Sequence, residues 1–258
     1  MKIIVTTSYK KQGMSAPARE FAEDGGFIFV KREDRSLESL MEEYKAEAVL
    51  VWHQQGPILH LGKEKWFFHP GMAYNRLTAF RKTGQTDLMA KACCFQDGDV
   101  FLDCTLGLGA DAIVASYFLP NGKICGLETS PAIAQVVKWG MKMYTSRQDW
   151  LNEAMRRITV IRDNHCDYLR RMPDASADIV YFDPMFRKPL WDSKNMLLLR
   201  SVADDGPVSA ETIAEALRVA RKKVVFKERN GSGEFDRLGF THLQGSKNNP
   251  VAYGIMVL

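Results

Sequence analysis

The sequence has 258 residues, 46% of them hydrophobic, with a formal net charge of +4. That length and apolar content support a substantial core in one large domain or one and a half. No stretch approaches membrane-spanning length, the run Ile3-Ile4-Val5 is too short for a signal peptide, and the mild charge tolerates a nucleic-acid partner without demanding one. The five cysteines (Cys93, Cys94, Cys104, Cys125, Cys166) form no Cys-x-x-Cys pair and read as reduced, buried thiols of a cytoplasmic protein.

In chain order, apolar runs predict strands at Ile3 to Val5, Phe27 to Val30, Val49 to Trp52, Ile58 to Leu61 and Trp66 to Phe68, with helices over Pro17 to Ala22 and, begun by Ser36, over Leu37 to Tyr44. Residues 1–70 thus read as a small α/β accessory domain, which either helps to choose a substrate or covers a sheet edge. Residues 69–91 mix Arg76, Arg81 and Lys82 with glycine and polar side chains. They read either as a phosphate-contacting segment, whose Gly84 to Thr86 closes over a ligand, or as a solvated linker. A helix from Asp87 to Cys94 follows, with Asp87 near its cap.

Residues 98–131 organise the chain. An apolar run, Val100 to Leu102, ends in Asp103; a turn carries Gly107 and Gly109; Ala112, Ile113, Ala115 and Ser116 then recur at helical spacing. A second run, Ile124 to Leu127, closes on Glu128, where a doubly wound fold places a ribose-binding carboxylate. Glycines in such a loop permit close backbone approach to a ligand. A carboxylate four residues ahead of Gly107 would repel a pyrophosphate and suit a cation. This Asp-x-x-x-Gly-x-Gly arrangement resembles motif I of class I S-adenosylmethionine-dependent methyltransferases, whose ligand carries an ammonium and a sulfonium.

Ser130 and Pro131 begin a helix with the core stripe Ile133, Val136, Val137 and Gly140. A helix over Asp149 to Arg156 and a strand over Ile158 to Ile161 lead to Asp163, Asn164 and His165, candidates for contact with an adenine. His165 has no second histidine at ligand spacing, so no metal is expected.

A further strand, Ile179 to Phe182, delivers Asp183-Pro184-Met185-Phe186 at its carboxyl end, where open α/β sheets place ligands. The tetrapeptide resembles the Asp/Asn-Pro-Pro-Tyr/Phe motif IV of amino-group methyltransferases. An exocyclic amine is a poor nucleophile because its lone pair is delocalised into the ring. Hydrogen bonds to the Asp183 carboxylate and nearby carbonyls would favour a more tetrahedral nitrogen, while Phe186 either stacks on the base or packs in the core. Arg187, Lys188, Trp191 and Lys194 form a basic, aromatic-interleaved stretch suited to a phosphate backbone, or an ordinary charged loop. After a helix over Ala210 to Arg221 comes a strand, Lys223 to Lys227, whose last residue either contacts substrate or pairs with Glu228. Phe240 to Leu243 and Ala252 to Leu258 complete seven strands, the last expected to run antiparallel.

Taken together, Met72-Ala73, Gly84 to Asp87, Gly107 to Ala112, Leu127-Glu128, Tyr181 to Phe186 and Val224 to Lys227 resemble the small-subunit ribosomal RNA guanine-N2 methyltransferase family. The resemblance covers roughly residues 71–256 and implies a Rossmann-like seven-stranded class I methyltransferase domain over residues 71–258. It implies S-adenosylmethionine as cofactor, held by Asp103, Thr105, Gly107, Gly109, Ala110, Asp111, Glu128, Thr129, Asp163, Asn164, His165 and Asp183. Asp183, Pro184, Met185 and Phe186 would be catalytic, and Arg76, Arg187, Lys188 and Lys227 would meet an RNA substrate, ribosomal RNA or the small ribosomal subunit. Ala110 stands where that family carries an arginine, and Arg187-Lys188 replaces a proline-led segment. The rival readings are the same cofactor with DNA, protein or a small amine as acceptor, a nicotinamide-dependent oxidoreductase, and a non-catalytic RNA-binding module.

Overall fold

A computed structural model describes residues 1–8, 14–184, 206–245 and 249–258. In chain order the first elements are β1 (Ile3–Thr7), α1 (Ser15–Gly25), β2 (Ile28–Phe29), α2 (Leu37–Tyr44), β3 (Ala48–His53), β4 (Gly56–Leu61), β5 (Glu64–Phe67), α3 (Gly71–Thr83), α4 (Leu88–Cys93), β6 (Val100–Asp103) and α5 (Ala110–Phe118). There follow β7 (Lys123–Glu128), α6 (Pro131–Met143), α7 (Asp149–Arg156), β8 (Ile158–Arg162), α8 (His165–Arg171), β9 (Ala177–Phe182), α9 (Ala210–Val219), β10 (Ala220–Arg229), α10 (Glu234–Leu238), β11 (His242–Gln244) and β12 (Val251–Val257).

These elements form two compact units, one of Met1–His69 with Ser130–Thr145, the other of Pro70–Thr129 with the described residues from 146 onward. The first carries a five-stranded sheet in the order β2-β1-β3-β4-β5. Ser36 caps α2 by accepting from the Ser39 N–H at 3.0 Å, and Leu40 packs with Ile4, Val30, Val49 and Val51. Phe21, Trp52 and Trp139 form a second cluster, with ring centroids 5.2 to 5.8 Å apart. Asp24 anchors α6 to α1 within this unit. It accepts from Gln135 Nε2 at 2.9 Å, Trp139 Nε1 at 2.7 Å and Lys138 Nζ at 2.6 Å. Partial burial opposes ionisation of Asp24, but these donors hold its carboxyl below the usual range.

The second unit carries a seven-stranded sheet in the order β11-β12-β10-β9-β6-β7-β8, in which β12 runs antiparallel to both β10 and β11 while β10, β9, β6, β7 and β8 pair in parallel. This is the class I Rossmann-like arrangement, with the reversed strand where it was expected. Leu102, Val180, Phe182, Val224 and Phe226 pack with Leu169, Ile213 and Phe235 in one core cluster. The alternate residues Phe101, Tyr181 and Val225 are buried too, so both faces of the central strands are covered, as a parallel sheet requires.

Several expectations need correction. Residues 71–83 are a helix, α3, instead of a linker; its sequence signal is faint because only Ala73 and Leu77 are buried. The helix stops at Gly84, whose φ of 69° favours glycine. His165 lies in a helix, α8, instead of a loop, because Asn164 caps it through the N–H groups of Cys166 and Asp167. The helix expected to reach Arg221 ends at Val219, where Arg221 turns to Asp178 through bonds of 3.0 and 2.6 Å. Cys94 is exposed, not buried.

Gly140 tests the packing of α6. An alanine Cβ there would lie 2.2 Å from Phe68 Cβ, so Gly140→Ala is expected to destabilise the protein by about 1–3 kcal/mol. Urea unfolding checks this; an unchanged midpoint contradicts it.

Candidate active site

Side chains alternate along a strand. Asp103 therefore shares a face with Phe101, Asp183 with Tyr181, and Lys227 with Val225. In the sheet Asp103 is level with Tyr181, and Tyr181 with Val225. The carboxyl ends of three neighbouring strands, β6, β9 and β10, thus set two carboxylates and one ammonium side by side.

Around them lies a chain of opposite charges. Lys227 Nζ donates to Asp183 Oδ2 at 2.6 Å and to Asp111 Oδ2 at 3.1 Å. Asp111, in the first turn of α5, also accepts from the Tyr181 hydroxyl at 2.8 Å and from Arg76. Arg76 is held in turn by Asp87, through Nε at 2.9 Å and Nη2 at 2.8 Å, while Asp87 caps α4 through the Met89 N–H at 3.0 Å. The backbone N–H of Asp183 donates to Thr105 Oγ1 at 2.6 Å, tying β9 to the glycine loop.

Burial sets the electrostatics. It opposes ionisation of Asp111, but Lys227 and Arg76 outweigh it and hold that carboxyl well below the ordinary range. Burial likewise disfavours a charged Lys227, yet the Asp111 and Asp183 carboxylates keep it protonated, with its pKa above the lysine norm. At Asp183, burial and the Asp111 charge push the pKa up against the pull of Lys227. Asp103, only 1% exposed, is raised by burial and by the nearby Asp111 carboxylate, although it accepts the Thr105 N–H at 3.0 Å.

On the other side of the glycine loop, Gly107 and Gly109 take φ of 49° and 74°, conformations that favour glycine. Glu128, at the end of β7, accepts the Gly107 N–H at 3.1 Å. Buried carboxylates at Asp103 and Glu128 therefore flank the glycine loop and hold two of its backbone N–H groups. Acidic acceptors on both sides of the loop suit a ligand with hydroxyls and positive charge.

The remaining expected residues divide. Thr129 reaches the Asp163 carbonyl at 3.4 Å, which brings the Glu128 and Asp163 loops together. Asp163 pairs with Arg171 and accepts the Asn164 N–H at 2.9 Å; Asn164 caps α8 with its carbonyl, and the His165 ring meets Phe182 edge-on at 5.9 Å. Ala110 opens α5, and Pro184 is half-buried beside Asp183. Arg76 is the main correction: its guanidinium engages two carboxylates instead of facing phosphates. Asp111 turns both oxygens to protein partners, and Lys227 pairs with Asp111 and Asp183, not Glu228. Met185, Phe186, Arg187, Lys188, Trp191 and Lys194 lie outside the described residues. Sequence reasoning missed Tyr181 and Asp87 as members of the site; the period-two alignment of Tyr181 with Asp183 was the available signal.

A family model described as "Putative SAM-dependent methyltransferase" matches residues 40–249. The chain belongs to this methyltransferase family. Its cofactor is S-adenosylmethionine, and the nicotinamide and non-catalytic readings fall away. "Uncharacterized protein YpiP" of Bacillus subtilis strain 168 is 32% identical over 98% of both chains. "Ribosomal RNA small subunit methyltransferase J" of Thioalkalivibrio sulfidiphilus is 28% identical over 55% of this chain and 57% of its own, and that of Buchnera aphidicola is 30% identical over 49% and 51%. The methyltransferase thus spans about half the length of these two relatives. A SAM-dependent methyltransferase structure from Neisseria gonorrhoeae superposes with a TM-score of 0.66 over 98% of this chain and 95% of its own, at 17% identity, a likeness of fold. Among the described residues, no group of three or more His, Cys, Asp or Glu is placed to hold a metal, and no helix is long and apolar enough to cross a membrane.

The Asp103 shift has a measurable consequence in the methyltransferase without ligand. A carboxyl raised on folding holds its proton in the folded state while the unfolded chain has lost it, so stability falls as pH rises from about 4 to the folded pKa. Asp103→Asn keeps the acceptor for Thr105 and removes that fall, by at most about 1.4 kcal/mol per pH unit. Urea midpoints of the variant should gain on the wild type between pH 5 and 8; a parallel pH dependence contradicts the raised pKa.

Proposed function

We propose that this methyltransferase transfers the methyl of S-adenosylmethionine to an exocyclic amine of a nucleobase, the N2 of guanine in ribosomal RNA. The observation that carries the reading is Asp183, fixed by Thr105 and Lys227 at the carboxyl edge beside the glycine loop. Relatives named for ribosomal RNA small subunit methylation support the acceptor class. Asp103 would face the cationic end of the cofactor, Glu128 its ribose, and Thr129, Asp163, Asn164 and His165 its adenine. Bound there, the cofactor supplies an electrophilic methyl whose C–S electron pair stays on sulfur as the amine lone pair forms the N–C bond. Asp183 and the Pro184 region orient the amine and accept hydrogen bonds from its N–H groups, and the methylated nitrogen then gives one proton to solvent water. Phe186 would stack on the base, and Met185, Arg187 and Lys188 would complete the substrate side. Alignment of the two reactants supplies much of the acceleration. The N-terminal residues 1–70 serve as an accessory domain in acceptor choice, and the enzyme works in the cytoplasm with its RNA.

Labelled methyl transfer to small ribosomal subunits and total RNA from cells lacking the protein tests the reading, with nucleoside digestion of the product. Label is expected in an N-methylated guanosine and is lost in Asp183→Ala. Label in DNA, protein or a small amine instead, with none in RNA, contradicts the acceptor. Glu128→Ala should chiefly weaken cofactor binding and Phe186→Ala chiefly lower turnover; equal effects of each variant on both quantities contradict the assigned roles.

A further inference from the structure

Asp183 must accept hydrogen bonds from an amine, so its charge and orientation both matter. The groups around it mostly oppose that charge. Asp111 from α5 and Asp103 from β6 bring two more carboxyls, and the Tyr181 and Tyr253 hydroxyls belong to the same buried group. Lys227 is the one ammonium bonded to it among the described residues. Arg76 and Asp87 act one step removed, through Asp111.

Lys227 is itself placed by the sheet. It sits opposite Tyr253 on β12 and between the carboxylates of Asp111 and Asp183, with 17% of its side chain exposed. From Asp87 through Arg76, Asp111 and Lys227 to Asp183 the formal charges alternate in sign. The chain holds three carboxylates against two cations and ends on a carboxylate at each side, Asp87 at one and Asp183 at the other, so Asp183 has Lys227 alone in this chain as its counter-charge.

We infer that Lys227 is a positioning residue for methyl transfer, holding the Asp183 carboxylate ionised and oriented toward the acceptor amine, with Asp111 and Arg76 holding Lys227 in place. The role rests on the reading of Asp183 as the amine-binding group. Without the ammonium, the buried Asp111 carboxylate and the half-buried Asp183 carboxylate would face each other, and one would take a proton. A protonated Asp183 presents an O–H donor where the amine needs an acceptor. Asp111 acts in the opposite sense, since its negative charge favours protonation of Asp183. Lys227 cannot serve as the proton acceptor itself while the same two carboxylates keep it an ammonium.

The experiment is the pH dependence of kcat from pH 6 to 9 at saturating S-adenosylmethionine, with ribosomal subunits as acceptor and S-adenosylhomocysteine binding measured in parallel. Lys227→Met is expected to lower kcat at pH 7 by about 10- to 100-fold and to move the acidic limb up by about 1–3 pH units. Lys227→Arg, which keeps the charge, should restore the limb. Asp111→Asn, which keeps a carbonyl acceptor for Lys227 while removing the charge that favours protonation of Asp183, should move it down, and this keeps the test available if Lys227→Met fails to fold. Unmoved limbs in variants that still bind S-adenosylhomocysteine overturn the positioning role while leaving Asp183 in place. Full activity of Asp183→Ala in the same assay overturns the reading of Asp183 itself, and this role with it.

Discussion

The Lys227 ammonium, largely withdrawn from water between two carboxylates, is the constraint on which the second unit's carboxyl edge depends. Burying an ion is costly unless partners replace water around it. Here each partner is itself supported: Asp183 by Thr105 through its backbone, Asp111 by Tyr181 and Arg76, Arg76 by Asp87. One arrangement satisfies all of them together. It joins α3, the α4 cap, α5, β9 and β10, and fixes the side chain on which the proposed chemistry depends.

The same edge separates two kinds of carboxylate. Glu128 and Asp103 lie along the glycine loop, each accepting one of its backbone N–H groups, at the proposed cofactor site. Asp111 turns inward and is neutralised by protein cations. Asp183 stands between these groups, partly compensated and 26% exposed. Membership of the methyltransferase family rests on the match over residues 40–249; the proposed division of labour among the carboxylates rests on their different partners.

Much of this was legible in the sequence where one strand or one turn carried the signal. Apolar runs ending in Asp103, Glu128 and Asp183 predicted parallel strands delivering acids to one edge, and the sheet delivers them there. Ser130-Pro131 and Ser36 marked helix starts that the structure retains. What stayed hidden depended on distant partners or on weak local patterns. Helix α3 buries too few of its residues to show a periodic stripe. Asn164 is a cap that the sequence hides, because nothing local marks His165 to Arg171 as a helix. The bond from Lys227 to Asp111 spans 116 residues of sequence; only the register of β10 on β9 and the placement of α5 make it visible. Glu228, the neighbour in sequence, was the plausible wrong partner for Lys227, but it lies on the opposite face of the strand.

The central claim is that the glycine loop and the ends of β6, β7 and β9 form one cofactor site with Asp183 at its reactive end. A crystal structure of the protein with S-adenosylhomocysteine tests it most directly. The account predicts the ribose hydroxyls on Glu128, the amino group toward Asp103, and the sulfur turned to the Asp183 side of the loop. Binding with the ribose away from Glu128, or with the sulfur remote from Asp183, would contradict it.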